Sequence, residues 1–180
     1  MDVLEIVTRR AQRYFSDRLP AMGQARLSDS RDVAALRPRV PNQPFRWVVT
    51  SPPYYGMRTY VPDQWLRLWF LGGPSEVDYS HGTQINHGSP EAFSDGLRQV
   101  WRNAATVCAE DARLVIRFGG IADRAAEPLD LLKSSLHDSG WRIQTLHPAG
   151  TAHEGKRQAE TFLRRSTTPR AEYDVWACLV

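Results

Sequence analysis

Cysteine, long apolar runs and closely spaced histidines are scarce or absent in this sequence of 180 residues. Cys108 and Cys178 are isolated and form no CxxC pattern, so we expect neither a disulfide framework nor a zinc site, and we interpret both as buried thiols. The five histidines lack the i, i+4 spacing of a helical metal site, and the sequence predicts no metal. Because no apolar run approaches the roughly 18 residues of a membrane span, we do not expect a membrane protein.

Lysine is also rare, since only Lys133 and Lys156 occur among 23 basic residues. The net charge of +3 and the pI near 9.1 permit a polyanionic partner but do not identify one. Residues 1–15 carry acidic groups among the first apolar ones and no small-residue cleavage site, unlike a signal peptide. We therefore expect a cytoplasmic protein with a single domain over residues 1–180, because this length suits one hydrophobic core.

Helices and strands are predicted to alternate along most of the chain. The predicted helices cover 2–19, 32–36, 89–110 and 129–139, and the predicted strands cover 25–27, 45–50, 112–118, 141–146 and 173–180. Residues 54–87 are predicted to form a long irregular segment. This alternation is typical of an α/β sandwich around a mainly parallel sheet.

The strand predicted over 45–50 stops abruptly at two prolines, at a strand end where open α/β sheets place ligand sites. The amino nitrogen of cytosine or adenine is a poor nucleophile because its lone pair is delocalised into the ring. The Ser51 hydroxyl can accept a hydrogen bond from such an amino group, and so can the Pro52 carbonyl, because Pro53 has no N–H and both rings hold the backbone extended. The lone pair would then point at a methyl donor. Tyr54 offers a flat face on which a base rotated out of the duplex can stack.

The run TSPPYYGMRTY resembles motif IV of the amino-methyltransferases, in the serine form commonest among N4-cytosine DNA methyltransferases. The elements from Asp29 to the strand ending at Gly120 follow the family's order through the middle and C-terminal half of its catalytic fold. The resemblance implies a Rossmann-like class I S-adenosylmethionine methyltransferase sandwich without its first strands, so that residues 1–180 form a partial catalytic domain. It also implies methyl transfer from S-adenosylmethionine to an exocyclic amino group of a DNA base, with cytosine N4 favoured over adenine N6.

The same resemblance implies roles for individual residues. The catalytic residues would be Ser51, Pro52, Pro53 and Tyr54, the cofactor contacts Asp29 and Thr50, and the substrate contacts Tyr54, Tyr55 and Arg58. Asp29 has a second interpretation, because Asp29 or Ser30 could instead cap the next helix.

A glycine-rich turn of the Phe-x-Gly-x-Gly kind, which the family uses to bind its cofactor, does not occur in this sequence. Gly119-Gly120 follows the wrong strand and Gly72-Gly73 follows none. In the family's sheet the motif IV strand pairs with the glycine-loop strand, and an unpaired strand inside a buried sheet is costly because its N–H and C=O groups need partners. We expect a second chain or a second copy to complete the sheet and supply the loop, unless the sheet has rearranged or this sequence is one piece of a split enzyme.

Several interpretations stay open at this point. The aromatic cluster over 65–71 could be core, partner surface or a wall of the target-base pocket. A basic group near the last strand could follow DNA phosphates or form a solvated face; its members are Lys156, Arg157, Arg164, Arg165 and Arg170. The alternatives for the whole protein are an inactive methyltransferase-like subunit that binds DNA or acts as a scaffold, and an RNA amino-methyltransferase.

Overall fold

The computed structural model describes residues 2–15, 23, 26, 28–38, 43–57, 60–77, 84–121, 126–151 and 171–180. The helices are α1 (Val3–Phe15), a short 3-10 helix η1 (Val33–Leu36), α2 (Tyr60–Phe70), α3 (Pro90–Thr106) and α4 (Pro128–Leu136). The strands are β1 (Phe45–Thr50), β2 (Cys108–Gly119), β3 (Trp141–Thr151) and β4 (Ala171–Leu179). Within the described parts of the chain, no helix is long and apolar enough to cross a membrane.

The four strands form one sheet in the order β1-β2-β4-β3. β1 pairs with β2 in parallel, whereas β4 is antiparallel to both β2 and β3. The chain is therefore an α/β protein, but the prediction of a mainly parallel sheet is wrong for its pairings. The reason is that β4 returns between β2 and β3, so that β1, β2 and β3 all run in one direction while two of the three pairings are antiparallel.

The hydrophobic core lies on one face of the sheet, between the strands and helices α3 and α4. It contains fully buried residues of α3, β2, α4 and β4, among them Phe93, Leu97, Leu114, Ile116, Phe118, Leu132 and Val175. On the opposite face large apolar side chains remain open to solvent: Trp47 is 57% exposed, Val49 74% and Trp176 41%. The predicted sandwich therefore has, among the described residues, a well-packed helical layer on one face only.

Local sequence signals account for most of the element boundaries. Ser89 caps α3 as predicted, because its Oγ accepts a hydrogen bond from the Ala92 amide at 3.1 Å and Pro90 occupies the first turn. Cys108 was predicted to extend this helix and instead opens β2, since α3 ends at Thr106. The thiols of Cys108 and Cys178 are half-buried rather than buried. The strand predicted over 25–27 lies largely outside the described residues.

Helix α2 lies inside the segment that was predicted to be irregular, so that prediction is wrong. Pro62 falls in the first turn of the helix, where the amide that proline lacks would have no intrahelical partner. The helix ends in a Schellman motif: Gly72 has a φ of 86°, its amide donates to the Trp69 carbonyl, and the Gly73 amide donates to the Leu68 carbonyl at 2.8 Å. Phe70 remains 77% exposed at the end of this helix.

Candidate active site

The Ser-Pro-Pro-Tyr turn follows directly from the carboxyl end of β1. Thr50, the last residue of the strand, pairs with Ile116 of β2, so the turn begins beside the last third of β2. Ser51 is exposed, Pro52 is buried and Pro53 is half-buried. A buried proline anchors the turn, while the serine hydroxyl stays on the surface where a ligand can reach it. The structure thus brings the four predicted catalytic residues to the carboxyl edge of the sheet.

Glu172, Phe118 and Gly119 hold Tyr54 at this edge. Its hydroxyl donates a short hydrogen bond to Glu172 Oε1 of β4, and its ring meets Phe118 edge to face with centroids 5.7 Å apart. The same ring lies over Gly119, where an added Cβ would stand only 3.2 Å from the Tyr54 Cζ atom. Tyr54, the predicted stacking residue, is therefore restrained at its hydroxyl by Glu172 and at its ring by Phe118 and Gly119.

Tyr55 belongs to a group of rings that continues into the core. Its ring stacks on His87 with centroids 6.3 Å apart and contacts Phe93 at 5.4 Å. His87 Nδ1 accepts a hydrogen bond from the Gly56 amide at 3.0 Å, and Gly56 has a φ of 84°, which favours glycine. These contacts fix the turn from its inner side. The predicted substrate contact through Tyr55 stays a prediction, and Arg58 lies outside the described residues.

Asp29 sits in an exposed turn and is bound by its neighbour Arg31. Both carboxylate oxygens accept from the guanidinium, at distances of 2.6 to 3.0 Å, and Oδ1 also accepts from the Arg31 amide. The hydrogen bonds to the Arg31 side chain and amide lower the pKa of Asp29. Asp32, rather than Asp29 or Ser30, caps the following helix by accepting from the Ala34 amide at 2.9 Å.

A cleft of about 660 Å³ runs along the flank of β1 that faces away from β2. Its walls include Trp47, Val48 and Val49 of the strand together with Ser28 and Ser30 from the polar turn. This volume lies in the range of roughly 300–1,000 Å³ that small-molecule sites occupy.

Neither of the predicted cofactor residues lines this cleft, and neither does Ser51. Arg31 engages both oxygens of the Asp29 carboxylate, whose side chain is 49% exposed. The cofactor contacts of Asp29 and Thr50 stay predictions.

Charged residues cross the open face of the sheet close to Tyr54. The Arg117 guanidinium donates to both oxygens of Asp174, at 2.8 Å from Nε and 2.7 Å from Nη2. These hydrogen bonds hold the pKa of Asp174 below its usual value and raise the pKa of Arg117. On its other side Asp174 pairs in register with His147 of β3. Arg117, Asp174 and His147 therefore lie in one row across the sheet.

Several residues that contact this turn were not predicted as site residues from the sequence: His87, Phe93, Phe118, Gly119 and Glu172. His87 and Glu172 contact the turn from distant positions in the chain, and Glu172 is 118 residues from Tyr54. The position of Gly119 at the end of a predicted strand could be recognised from the sequence. Its pairing with Glu172 could not, because it depends on where β4 lies in the sheet.

No protein-family model and no curated protein matches the chain. Two solved structures of TTHA0409 from Thermus thermophilus, whose assignment as a DNA modification methylase is provisional, are similar to it at 20% identity. The first has a TM-score of 0.47 and is matched over 85% of this chain and 52% of its own; for its selenomethionine derivative these values are 0.44, 84% and 50%. The chain thus spans about half the length of these structures, and the comparisons assign it to no family.

Proposed function

We propose that this chain carries the base-binding and catalytic turn of an amino-methyltransferase that acts on DNA. The methyl group would pass from S-adenosylmethionine to an exocyclic amino nitrogen, with cytosine N4 favoured over adenine N6. The S–C bond would break as the N–C bond forms, S-adenosylhomocysteine would leave, and the nitrogen would lose one proton to solvent. The observation that carries the proposal is the position of Ser51-Pro52-Pro53-Tyr54 at the carboxyl end of β1, with the serine exposed and the tyrosine fixed.

Each residue of the turn has a task in this chemistry. The amino group of the target base donates one hydrogen bond to the Ser51 hydroxyl and one to the Pro52 carbonyl, and its nitrogen becomes pyramidal and nucleophilic. The Tyr54 ring supplies a stacking platform, a contact usually worth about 1–3 kcal/mol per base. The gain in rate comes from acceptors that are already in place when the amino group loses its conjugation, because they need no reorganisation at that moment.

We further propose that a second chain or a second copy completes the sheet beside β1, and that a chain of different sequence supplies the cofactor-binding loop. Two observations support this: the sequence has no Phe-x-Gly-x-Gly turn, and the flank of β1 borders an open cleft with Val49 74% exposed. S-adenosylmethionine, when bound by the completing chain, supplies an electrophilic methyl group. The residues of the present chain bind and orient the base.

The test is methyl transfer from labelled cofactor to duplex DNA by the chain together with its completing subunit. The first place to seek that subunit is a neighbouring reading frame that encodes Phe-x-Gly-x-Gly. Nucleoside analysis of the product distinguishes N4-methylcytosine from N6-methyladenine, and a parallel reaction on RNA tests the RNA alternative. An assembly that binds cofactor and DNA yet transfers no methyl group would contradict the proposal.

A second candidate function is an inactive methyltransferase-like subunit that binds DNA or acts as a scaffold. The absence of the glycine-rich turn from the sequence favours it. The intact tetrad weighs against it, because a subunit that performs no chemistry has no need of an exposed Ser51 beside a fixed Tyr54.

A further inference from the structure

Glu172 is the residue of β4 that reaches the catalytic turn. It is the second residue of the strand and pairs in register with Gly119, the last residue of β2. Its Oε1 atom accepts the hydrogen bond from the Tyr54 hydroxyl. In this hydrogen bond the Tyr54 hydroxyl is the donor and the Glu172 carboxyl oxygen is the acceptor.

The side chains of Glu172 and Tyr54 meet directly over the backbone of Gly119. A Cβ at position 119 would lie 2.9 Å from Glu172 Cγ and 3.2 and 3.3 Å from Tyr54 Cζ and Cε2. A Cβ atom essentially never comes within 3.0 Å of another non-bonded heavy atom, so an alanine here would shift the Glu172 side chain and crowd the Tyr54 ring. The glycine leaves the space in which these two side chains meet.

The three contacts of Tyr54 act on different parts of its side chain. Phe118 restrains the ring at an interplanar angle of 80°, Gly119 restrains it from below, and Glu172 restrains the far end through the hydroxyl. A tyrosine has two side-chain torsions, and an anchor at the hydroxyl limits both of them. A platform that is ordered in advance loses little further entropy when a base stacks on it.

Building on the proposed methyl transfer, we propose that Glu172 is a positioning residue that fixes the ring plane of Tyr54 on which the target base stacks. Glu172 touches neither base nor methyl donor in this role and acts only through Tyr54. The proposal assigns its effect to the hydrogen bond rather than to the negative charge. Glutamine should therefore replace it, since a side-chain amide oxygen also accepts from a hydroxyl.

The first test measures kcat and KM for DNA in the complete assembly. Glu172→Ala should raise KM and lower kcat/KM on the order of tenfold, as expected for loss of one hydrogen bond. Glu172→Gln should recover most of the loss.

Tyr54→Phe should match Glu172→Ala, and the double variant should be no worse than either single one, because all three remove the same contact. Glu110→Ala, which removes an exposed carboxylate from β2, serves as the matched control.

Three results would overturn the proposal: an unchanged kcat/KM in Glu172→Ala, a loss that Glu172→Gln does not recover, or losses from Tyr54→Phe and Glu172→Ala that add in full. Gly119→Ala gives an independent check, since its methyl group meets the Glu172 side chain and the Tyr54 ring where they join, while both polar groups are kept. It should reproduce the rise in KM.

A second measurement separates this proposal from the proposed function. Urea unfolding of the full chain alone, followed by tryptophan fluorescence, gives the coupling between Tyr54→Phe and Glu172→Ala without any need for activity. Additive changes in stability would show that the contact does not form, and would overturn the role of Glu172 even if the assembly methylates DNA. Clear coupling together with an assembly that transfers no methyl group would leave the contact established and refute the proposed function.

Discussion

Trp47 of β1 and Trp176 of β4 meet edge to face across the intervening strand β2, with ring centroids 6.2 Å apart and an interplanar angle of 85°. Both rings lie on the face of the sheet opposite α3 and α4, and both remain substantially exposed. Val49, two residues beyond Trp47, extends this apolar surface to the flank of β1. Soluble monomers seldom leave such a group of large side chains open, which favours an interface here.

This surface predicts self-association or association with another chain. Val49→Glu should shift the protein toward the monomer, because it places a charge on a side chain that assembly would bury. Stability of the monomer should change by less than about 0.5 kcal/mol, as is usual at exposed positions. Sedimentation velocity at micromolar concentration measures the shift. Val180→Glu, at a valine that is 70% exposed at the chain end, is the matched control. The prediction would be contradicted if the parent protein sediments as a stable monomer at all concentrations and also binds no second chain.

The isolated chain should bind S-adenosylmethionine weakly or not at all. The sequence lacks a glycine-rich turn whose amides could approach the cofactor, and Arg31 already engages both oxygens of Asp29. Isothermal titration calorimetry of the purified chain should detect no binding in the micromolar range, and Asp29→Asn should behave like the parent. Micromolar binding that disappears in Asp29→Asn would restore Asp29 as a cofactor contact within this chain alone.

The elements with strong local signals were predictable from the sequence. The β-branched and aromatic run of β1 ends at two prolines, and Ser89 with Pro90 marks the start of α3. Gly140, with a φ of 87°, marks the turn into β3. In each case the residues that determine the boundary of the element are adjacent in the chain, so a short stretch of sequence is enough to predict it.

Features that depend on distant pairing were not predictable. The insertion of β4 between β2 and β3 is set by which strand pairs with which, and the strand sequences alone do not specify this. The contact between Glu172 and Tyr54 follows from that insertion. Helix α2 was not predicted for a different reason. Proline and paired glycines usually interrupt a helix, but Pro62 lies in the first turn and the two glycines lie just after the last turn, where both residue types are compatible with a helix.

The ion pair between Arg117 and Asp174 predicts a dependence of stability on pH. The hydrogen bonds from Arg117, and to a smaller extent nearby positive charge, lower the pKa of Asp174 in the folded state. A carboxyl whose pKa is lower folded than unfolded stabilises the protein above the unfolded pKa, and this contribution is lost as pH falls through the folded pKa. The loss should therefore begin near the ordinary value of 3.8 and continue below it.

Urea unfolding of the parent and of Asp174→Asn between about pH 2.5 and 6 measures this contribution. The variant should be less stable than the parent at pH 6, and the two curves should converge in acid as Asp174 of the parent becomes protonated. Asp130→Asn, which removes an exposed carboxylate from α4, controls for the change in net charge. Curves that stay parallel over the whole range would show that the Asp174 ion pair contributes nothing to the pH dependence.

Ser51→Ala should lower turnover while the protein keeps its fold and its affinity for DNA. Ser51 is exposed, so the loss of its hydroxyl leaves no buried group unsatisfied, and the buried Pro52 continues to anchor the turn. In the complete assembly one acceptor for the amino group disappears, and the nitrogen reaches its pyramidal geometry less readily. Loss of one preorganised hydrogen bond in a transition state usually costs a factor on the order of a hundred in kcat. Single-turnover methylation with labelled cofactor isolates this step from product release, and Ser134→Ala, at an exposed serine of α4, is the matched control. If Ser51→Ala transfers methyl groups as fast as the parent, the hydroxyl is not an acceptor for the reacting amino group, and the Pro52 carbonyl would have to orient the nucleophile without it.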